Sequence, residues 1–236
     1  MDKLYLSAKY YQDKLEGRKY LLLACKKNNF LLFQINFNKD SFKHLIGLHK
    51  LIDLGLKETA SDTLFTQILN KELTYEKIQK SSFFQKILNR IDNFEKIGEI
   101  LSSPNDMRKS LYGSFGKIPG VKADYLLSKK HDKSYIHLFF KNSGKNNDEI
   151  VLPVTFFLHK DATYIFDKDA IRWNIVTIEE LTEKDDVKRK AELMELKAKL
   201  STSTSRSFDE MREIVRDTVH VRSSNTKNND KDEHDD

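Results

Sequence analysis

The sequence predicts an α+β protein with an N-terminal β-hairpin, helices packed on one face of an antiparallel β-meander, and a charged C-terminal helical tail. Hydrophobic residues make up 39% of the 236 residues and aromatic residues 11%, which is enough apolar material for a core. Apolar residues recur with helical spacing over about 61–101, and short β-branched and aromatic runs follow over 123–180. We therefore expect one domain over residues 1–182 and a helical, then disordered, tail over 183–236.

Two apolar runs near the N-terminus predict the hairpin. The first run covers residues 20–25 and the second covers 30–37, and the four residues between them are polar and include two asparagines. In the second run Phe33 and Ile35 fall on one face and Gln34 on the other, so we expect this strand to be half exposed to solvent.

Helices are predicted between the hairpin and the meander. Thr74 is typical of a position where a helix begins, and Gly98, followed by two serines and a proline, of one where a helix ends. The apolar residues between them follow i, i+3, i+4 spacing, which predicts packing against a core. They are Phe84, Ile87, Leu88, Ile91, Phe94 and Ile97.

The meander is predicted from five short runs separated by polar turns. These runs cover residues 123–128, 134–141, 149–159, 164–166 and 173–178. If Lys141 pairs near Val151, antiparallel register places His137 opposite Thr155 and turns the apolar residues of both strands toward the helices. The opposite face would then present Tyr135, His137, Lys141, Thr155 and His159, with Tyr164 facing His159.

The polar residues on this predicted face are of the types that metal-free RNA cleavage uses. One imidazole can remove the proton of a ribose 2′-hydroxyl, a second can protonate the leaving oxygen, and a lysine can stabilise the charged transition state. The alternative is a solvated sheet face without a chemical role, which is common in antiparallel sheets.

The charge distribution favours a polyanionic partner. Residues 183–236 contain 12 basic and 14 acidic residues, so the net charge of +5 for the whole chain becomes +7 over residues 1–182. A basic domain attracts RNA or DNA because neutralised phosphates release counterions and because long-range fields raise encounter rates.

Several other classes of protein lack the residues they need. Cys25 is the only cysteine, which excludes a disulfide scaffold, and its apolar surroundings predict a small buried hydrophobe. No run approaches the roughly 18 apolar residues that cross a bilayer. The histidines show no zinc-ligand spacing apart from the pair His44 and His49, and nucleotide-binding and metalloprotease motifs are missing. We predict a cytoplasmic protein without a cofactor or a bound metal.

A short motif between the hairpin and the helices carries a family resemblance. The segment Phe42-Lys43-His44-Leu45-Ile46-Gly47-Leu48 resembles the His-Leu-Thr-Gly-like signature of the phage-associated nuclease group related to barnase, EndoU, colicin and RelE toxins. The resemblance covers about residues 15–180. It implies a small nuclease fold with RNA lying across the sheet, a context in phages or mobile elements, and activity without a metal. Ile46 stands where the motif has Thr, so one hydroxyl is missing.

Only His44 and Gly47 map securely onto the motif. The resemblance implies that His44 acts as a general acid or base, or donates to phosphate; the alternative is a partly buried imidazole that bonds to the backbone. We expect Gly47 to supply a positive φ or a close backbone approach. Lys50 is a candidate phosphate contact, and the alternative is a solvated lysine beside a helix start.

The sequence leaves two hypotheses for the function. The first is a metal-independent endoribonuclease that cleaves RNA by general acid–base catalysis and has a neutralising protein partner. Its predicted catalytic residues are His44, His137, Thr155 and Lys141, and its predicted substrate-binding residues are Lys50, Lys130, His159, Tyr164 and Arg172. The second is a catalytically inactive accessory module that binds nucleic acid or protein through the same face.

Overall fold

The computed structural model describes residues 1–116, 121–143, 150–160, 168–182 and 186–201, together with Glu210 and Glu213. Seven α-helices and seven strands are present in this part of the chain, which confirms the predicted α+β class. The helices are α1 (Lys3–Lys14), α2 (Lys39–Ile46), α3 (Ser61–Leu69), α4 (Tyr75–Gln79), α5 (Gln85–Asp92), α6 (Lys96–Ser102) and α7 (Asp186–Ser201). Two 3₁₀ turns, Leu48–Lys50 and Ile52–Leu54, follow α2.

The strands form a closed barrel. They are β1 (Lys19–Lys26), β2 (Asn29–Asn36), β3 (Asp106–Ser110), β4 (Tyr125–His131), β5 (Ser134–Asn142), β6 (Ile150–His159) and β7 (Ala170–Leu181). Their order around the barrel is β1-β2-β6-β5-β4-β3-β7, and every neighbouring pair is antiparallel except β2 and β6. Strands β3 to β6 pair in chain order as an antiparallel meander, whereas β7 pairs with β1 and β3. The predicted run 164–166 lies outside the described residues.

The N-terminal hairpin is confirmed. β1 and β2 pair along their whole length from Lys19 opposite Asn36 to Lys26 opposite Asn29, so only two residues form the turn. Lys27 in this turn has a φ of 53°, as two-residue hairpin turns require. Cys25 is buried, as predicted, and burial raises the pKa of its thiol.

Helices α1 to α6 and one face of the sheet share the main hydrophobic core. Asp2 connects two of these helices, because its carboxylate accepts hydrogen bonds from the backbone N–H of Tyr5 in α1 and of Tyr75 in α4. Both bonds satisfy N–H groups that a helix start leaves without an intrahelical partner. The predicted helical periodicity over 84–97 is confirmed, although the chain divides it into α5 and α6.

The C-terminal helix α7, which the sequence analysis placed in a tail outside the domain, packs on the sheet. Leu193 is 1% exposed and, with Leu196, lies against Leu21, Leu23 and other residues of β1 and β7. This helix also packs on β2. Gln34 is consequently buried instead of solvated, which corrects the prediction of a half-exposed strand.

A third cluster covers the outer face of β4 and β5. Phe115 and Ala123 pack on Leu126 and Phe139, and Phe115 pairs with Val121 in an isolated β-bridge. The sheet face that alternation predicts to be solvated is therefore partly a second apolar layer. No helix within the described ranges is long and apolar enough to span a bilayer.

Candidate functional site

The end of α2 turns sharply at Gly47. Its φ is +89°, which is the left-handed conformation that favours glycine. A Cβ at this position would lie 2.9 Å from Cγ2 of Ile87 and 3.2 Å from Cδ of Arg90. The prediction for Gly47 is therefore confirmed in both forms, since the backbone has a positive φ and also approaches α5 closely.

Arg90 of α5 binds the end of α2. Its Nη1 donates to the backbone carbonyls of His44 at 3.1 Å and Leu45 at 3.3 Å, which lie where a helix leaves carbonyls without an intrahelical partner. The side chain is 4% exposed, and this burial lowers the pKa of the guanidinium to about 10. The guanidinium carbon lies 5.8 Å from the ring centre of Phe157 in β6.

An open pocket of about 540 Å³ lies beside this contact, between the first 3₁₀ turn, α5 and β6. We call it the basic pocket. Its polar lining consists of His49, Lys50, Lys86, Asn89, Arg90, Lys122 and Thr155. Its apolar lining consists of Val121, Val154, Phe157 and Leu158.

Four of the lining side chains are cationic, and none of the described lining residues is Asp or Glu. The pKa of Lys50 is lowered to about 8, first by burial and then by the charges of Arg90 and Lys86. The repulsion between these cations favours binding of an anion, because a bound phosphate would neutralise part of their charge. The attraction between the phosphate and the cations is also stronger here than in bulk water, since the protein screens it less.

Two imidazoles lie next to these cations. The ring centres of His44 and His49 are 5.1 Å apart. Burial lowers the pKa of His49 to about 4, and the positive charges of His44, Arg90 and Lys50 contribute, so this ring is neutral at pH 7. Its Nδ1 is buried without a hydrogen-bond partner among the described residues.

His44 lies at the margin of the basic pocket. The residue is exposed to solvent, and partial burial of its side chain, together with the charge of Lys43, lowers the pKa of its imidazole. Ile46, which replaces the threonine of the motif, is completely buried in the core. The departure from the motif therefore changes core packing and places no side chain in the pocket.

His137 does not lie on a solvated face, so that prediction is wrong. It is 0% exposed, and its Nδ1 lies 2.9 Å from Oγ of Ser128, which is also buried. The rings of Tyr135, Phe139 and Phe157 lie around it. Because Phe157 also lines the basic pocket, His137 lies behind the pocket wall.

The predicted register of β5 and β6 is also wrong. Lys141 pairs with Leu152, and a bulge at Phe139 moves His137 opposite Phe157, two residues further along β6 than predicted. A bulge inserts one extra residue and shifts every later pair. Val154, which was predicted to face the helices, consequently packs with Phe139 on the opposite face.

The other predicted site residues divide into two groups. Thr155 and Lys50 line the basic pocket. The remainder do not: Lys141 and Lys130 are exposed elsewhere, His159 pairs with Tyr135 at the end of β6, and Arg172 lies 3.5 Å from the carboxylate of Asp106. Tyr164 lies outside the described residues.

Five polar lining residues were not among the predicted site residues: His49, Lys86, Asn89, Arg90 and Lys122. One signal could have found Arg90, because it falls on the apolar stripe of α5 between Ile87 and Ile91. A charged residue on a buried helix face needs a partner or a function. The exposed residues Lys86 and Lys122 carry no such signal.

A comparison with family models decides the family. Residues 3–200 match the model described as phage-Barnase-EndoU-ColicinE5/D-RelE like nuclease, group 4. The chain belongs to this nuclease family. The resemblance seen around His44 is thereby confirmed, and the match includes α7. No curated protein and no solved structure matches the chain.

Proposed function

We propose that this member of the nuclease family is a metal-independent endoribonuclease and that the basic pocket is where it cleaves RNA. One observation carries the proposal: four cationic side chains and a neutral imidazole line the same open pocket. Cationic groups bind the phosphate of a nucleic acid, and an imidazole beside the phosphate can move the proton that cleavage requires.

His49 is the proposed general base. Its ring lines the pocket and is neutral at pH 7, so the imidazole can accept a proton. The proton it removes is that of the ribose 2′-hydroxyl. A bound phosphate raises the basicity of this ring, because the negative charge favours the imidazolium form.

Lys50 is the proposed general acid. The pKa of Lys50 is about 8, so its amine is protonated at pH 7. A pKa this near to the working pH also lets the amine release the proton readily, which suits a general acid. In the reaction the 2′-oxygen forms a bond to phosphorus while the bond to the 5′-oxygen breaks. His49 takes the proton of the 2′-hydroxyl, and Lys50 gives its proton to the 5′-oxygen. The products are a 2′,3′-cyclic phosphate and a 5′-hydroxyl.

The remaining cations stabilise the negative charge that develops on the phosphate oxygens. Arg90 is held in place by its bonds to the end of α2, so it reaches the transition state already oriented. Lys86 and Lys122 add positive charge from the two sides of the pocket, and the hydroxyl of Thr155 can donate to a phosphate oxygen.

His44 remains a candidate for proton transfer from the margin of the pocket. Its ring is exposed to solvent and lies beside His49, so it can pass the proton of His49 to water between turnovers. His137 has no direct role in this proposal, because Phe157 separates it from the pocket.

The test is cleavage of a fluorescent single-stranded RNA by the full chain in EDTA. We expect cleavage of RNA and no cleavage of DNA with the same base sequence, because DNA lacks the 2′-hydroxyl. His49→Ala and Lys50→Ala should abolish most of the activity, whereas Lys141→Ala, which removes an exposed lysine outside the pocket, should preserve it.

Two results would contradict the proposal. Cleavage that disappears in EDTA and returns with Mg²⁺ would exclude metal independence. RNA binding that Lys50→Ala weakens, without any cleavage by the wild-type chain, would favour the accessory binding module. A neutralising protein partner and a cytoplasmic location stay predictions from the sequence.

A further inference from the structure

Asn89 lines the basic pocket, and a hydrogen bond to the backbone of β6 fixes the orientation of its side-chain amide. Oδ1 of Asn89 in α5 accepts a hydrogen bond from the backbone N–H of Leu158 in β6 at 2.9 Å. A backbone N–H can only donate, so the atom facing it must be the amide oxygen. The oxygen of Asn89 is thereby engaged, and its NH₂ group is the part that remains for a ligand.

The NH₂ group of Asn89 has no hydrogen-bond partner among the described residues. The side chain lies on the surface of the pocket, next to Lys86 and Arg90. These neighbours are also hydrogen-bond donors and carry no acceptor. This part of the pocket therefore presents donors only, and it suits the acceptor atoms of a ligand.

The pocket is larger than a phosphate group requires. Its volume of about 540 Å³ lies within the roughly 300–1,000 Å³ range of pockets that hold whole small molecules. The apolar side chains of Val121, Val154 and Leu158 line the space beside the cations. A nucleobase next to the scissile phosphate would fill this space and bring its polar edge toward α5.

We propose that Asn89 selects the nucleobase beside the cleaved phosphate by donating from Nδ2 to a ring carbonyl oxygen. This inference rests on the proposed cleavage of RNA in the basic pocket. The acceptor is O6 of guanine or O4 of uracil, because adenine and cytosine carry an amino group at the corresponding positions. If the NH₂ group of Asn89 faces the amino group of adenine or cytosine, neither group has an acceptor, so these two bases are disfavoured.

The substitution Asn89→Asp tests this selection with little change in shape. The aspartate still accepts the hydrogen bond of Leu158, but it offers an acceptor where the asparagine offers a donor. The variant should therefore prefer adenine and cytosine over guanine and uracil. Gln85→Glu is the matched control, since it makes the same change from amide to carboxylate one turn earlier in α5, at an exposed residue outside the pocket lining.

The substrates are four 2′-O-methyl oligonucleotides with a single ribonucleotide, G, U, A or C, at the centre. Only that ribonucleotide can supply a 2′-hydroxyl, so each substrate has one cleavable position. We expect wild-type kcat/KM for G and U, or for one of them, to exceed that for A and C about tenfold, which is the effect of about one hydrogen bond. Binding of the fully 2′-O-methylated analogues, followed by fluorescence anisotropy, gives a readout that does not depend on cleavage.

The outcomes separate this inference from the nuclease proposal. Equal cleavage of all four substrates, or a preference that Asn89→Asp leaves unchanged, would overturn the role of Asn89 while the nuclease function stands. Base-selective binding that reverses in Asn89→Asp, without cleavage by any form, would support Asn89 and overturn the nuclease function. Neither binding nor cleavage would overturn both.

Discussion

The chain places imidazoles in two regions that differ in their surroundings. His44 and His49 follow one another at the end of α2, beside an open pocket with Lys50 and Arg90. His137 lies in β5, closed in by aromatic rings and bonded to a buried serine. One region is cationic and accessible, and the other is apolar and closed.

This difference shows that the strand pattern alone does not make a histidine accessible. Alternation places His137 on the face opposite the main core, as the sequence predicts. The rings of Tyr135, Phe139 and Phe157 enclose it on that face, and Phe115, which lies outside both strands of the predicted pair, packs on Phe139. His44 is exposed in the last turn of α2, and His49 is half-buried in the following 3₁₀ turn, where it lines the open basic pocket.

The largest expected effect separates the two regions by activity. His49→Ala should lower kcat/KM for RNA about 100-fold or more, since a general base commonly contributes 10²- to 10⁴-fold. The free energy of unfolding of this variant should change much less than its activation free energy for cleavage. Initial cleavage rates give kcat/KM, and urea unfolding of the same sample gives the free energy of unfolding. Activity that persists in this variant would move the general base to His44.

The second effect separates the regions by stability. His137→Ala should lower the free energy of unfolding by about 3 kcal/mol, because it opens a cavity and leaves the hydroxyl of Ser128 without its partner. His44→Ala, at an exposed position, should change it by about 0.5 kcal/mol or less. Urea unfolding measures both. Equal losses in the two variants would mean that His137 is not part of the packed interior.

The third effect is a loss of stability at Gly47, where the chain turns between α2 and the 3₁₀ turn that lines the basic pocket. Gly47→Ala should cost about 2 kcal/mol, because alanine resists the positive φ and its Cβ would lie too close to Ile87. Gly55→Ala is the control, since Gly55 also has a positive φ but open space around it. A larger loss at Gly55 than at Gly47, measured by thermal unfolding, would contradict the close contact between α2 and α5.

The smallest effect is a pH dependence of RNA binding. The pKa of Lys50 is lowered to about 8, so its positive charge is present below that pH and is lost as the pH rises through it. The affinity for a 2′-O-methylated RNA should therefore fall about several-fold between pH 7 and 9, which is the effect expected from the loss of one contact to a phosphate. Lys50→Arg, which keeps its charge, should bind equally at both values. A fall of the same size in this variant would assign the titration to another group.

Local features of the chain were predictable because nearby residues decide them. The hairpin follows from two apolar runs and a polar turn, the helix over α5 from apolar spacing, and the positive φ of Gly47 from the conformational freedom of glycine. The motif around His44 indicated the family for the same reason, since its residues are consecutive.

The basic pocket was not predictable in this way, since its lining comes from four separate segments. Lys50 and Thr155 were candidates by residue type, but Asn89 and Lys122 are ordinary surface residues in the sequence. Their role depends on α5 lying beside β6, which the bond between Asn89 and Leu158 helps to maintain.

The sequence by itself determined the α+β class, the hairpin, the helical core and the nuclease family, because these depend on local spacing and on a continuous motif. Only the tertiary structure decided which histidines are accessible, which cations share a pocket, and that α7 packs on the sheet. The physical reason is that burial and electrostatic repulsion depend on distances between segments, and those distances exist only once the chain has folded.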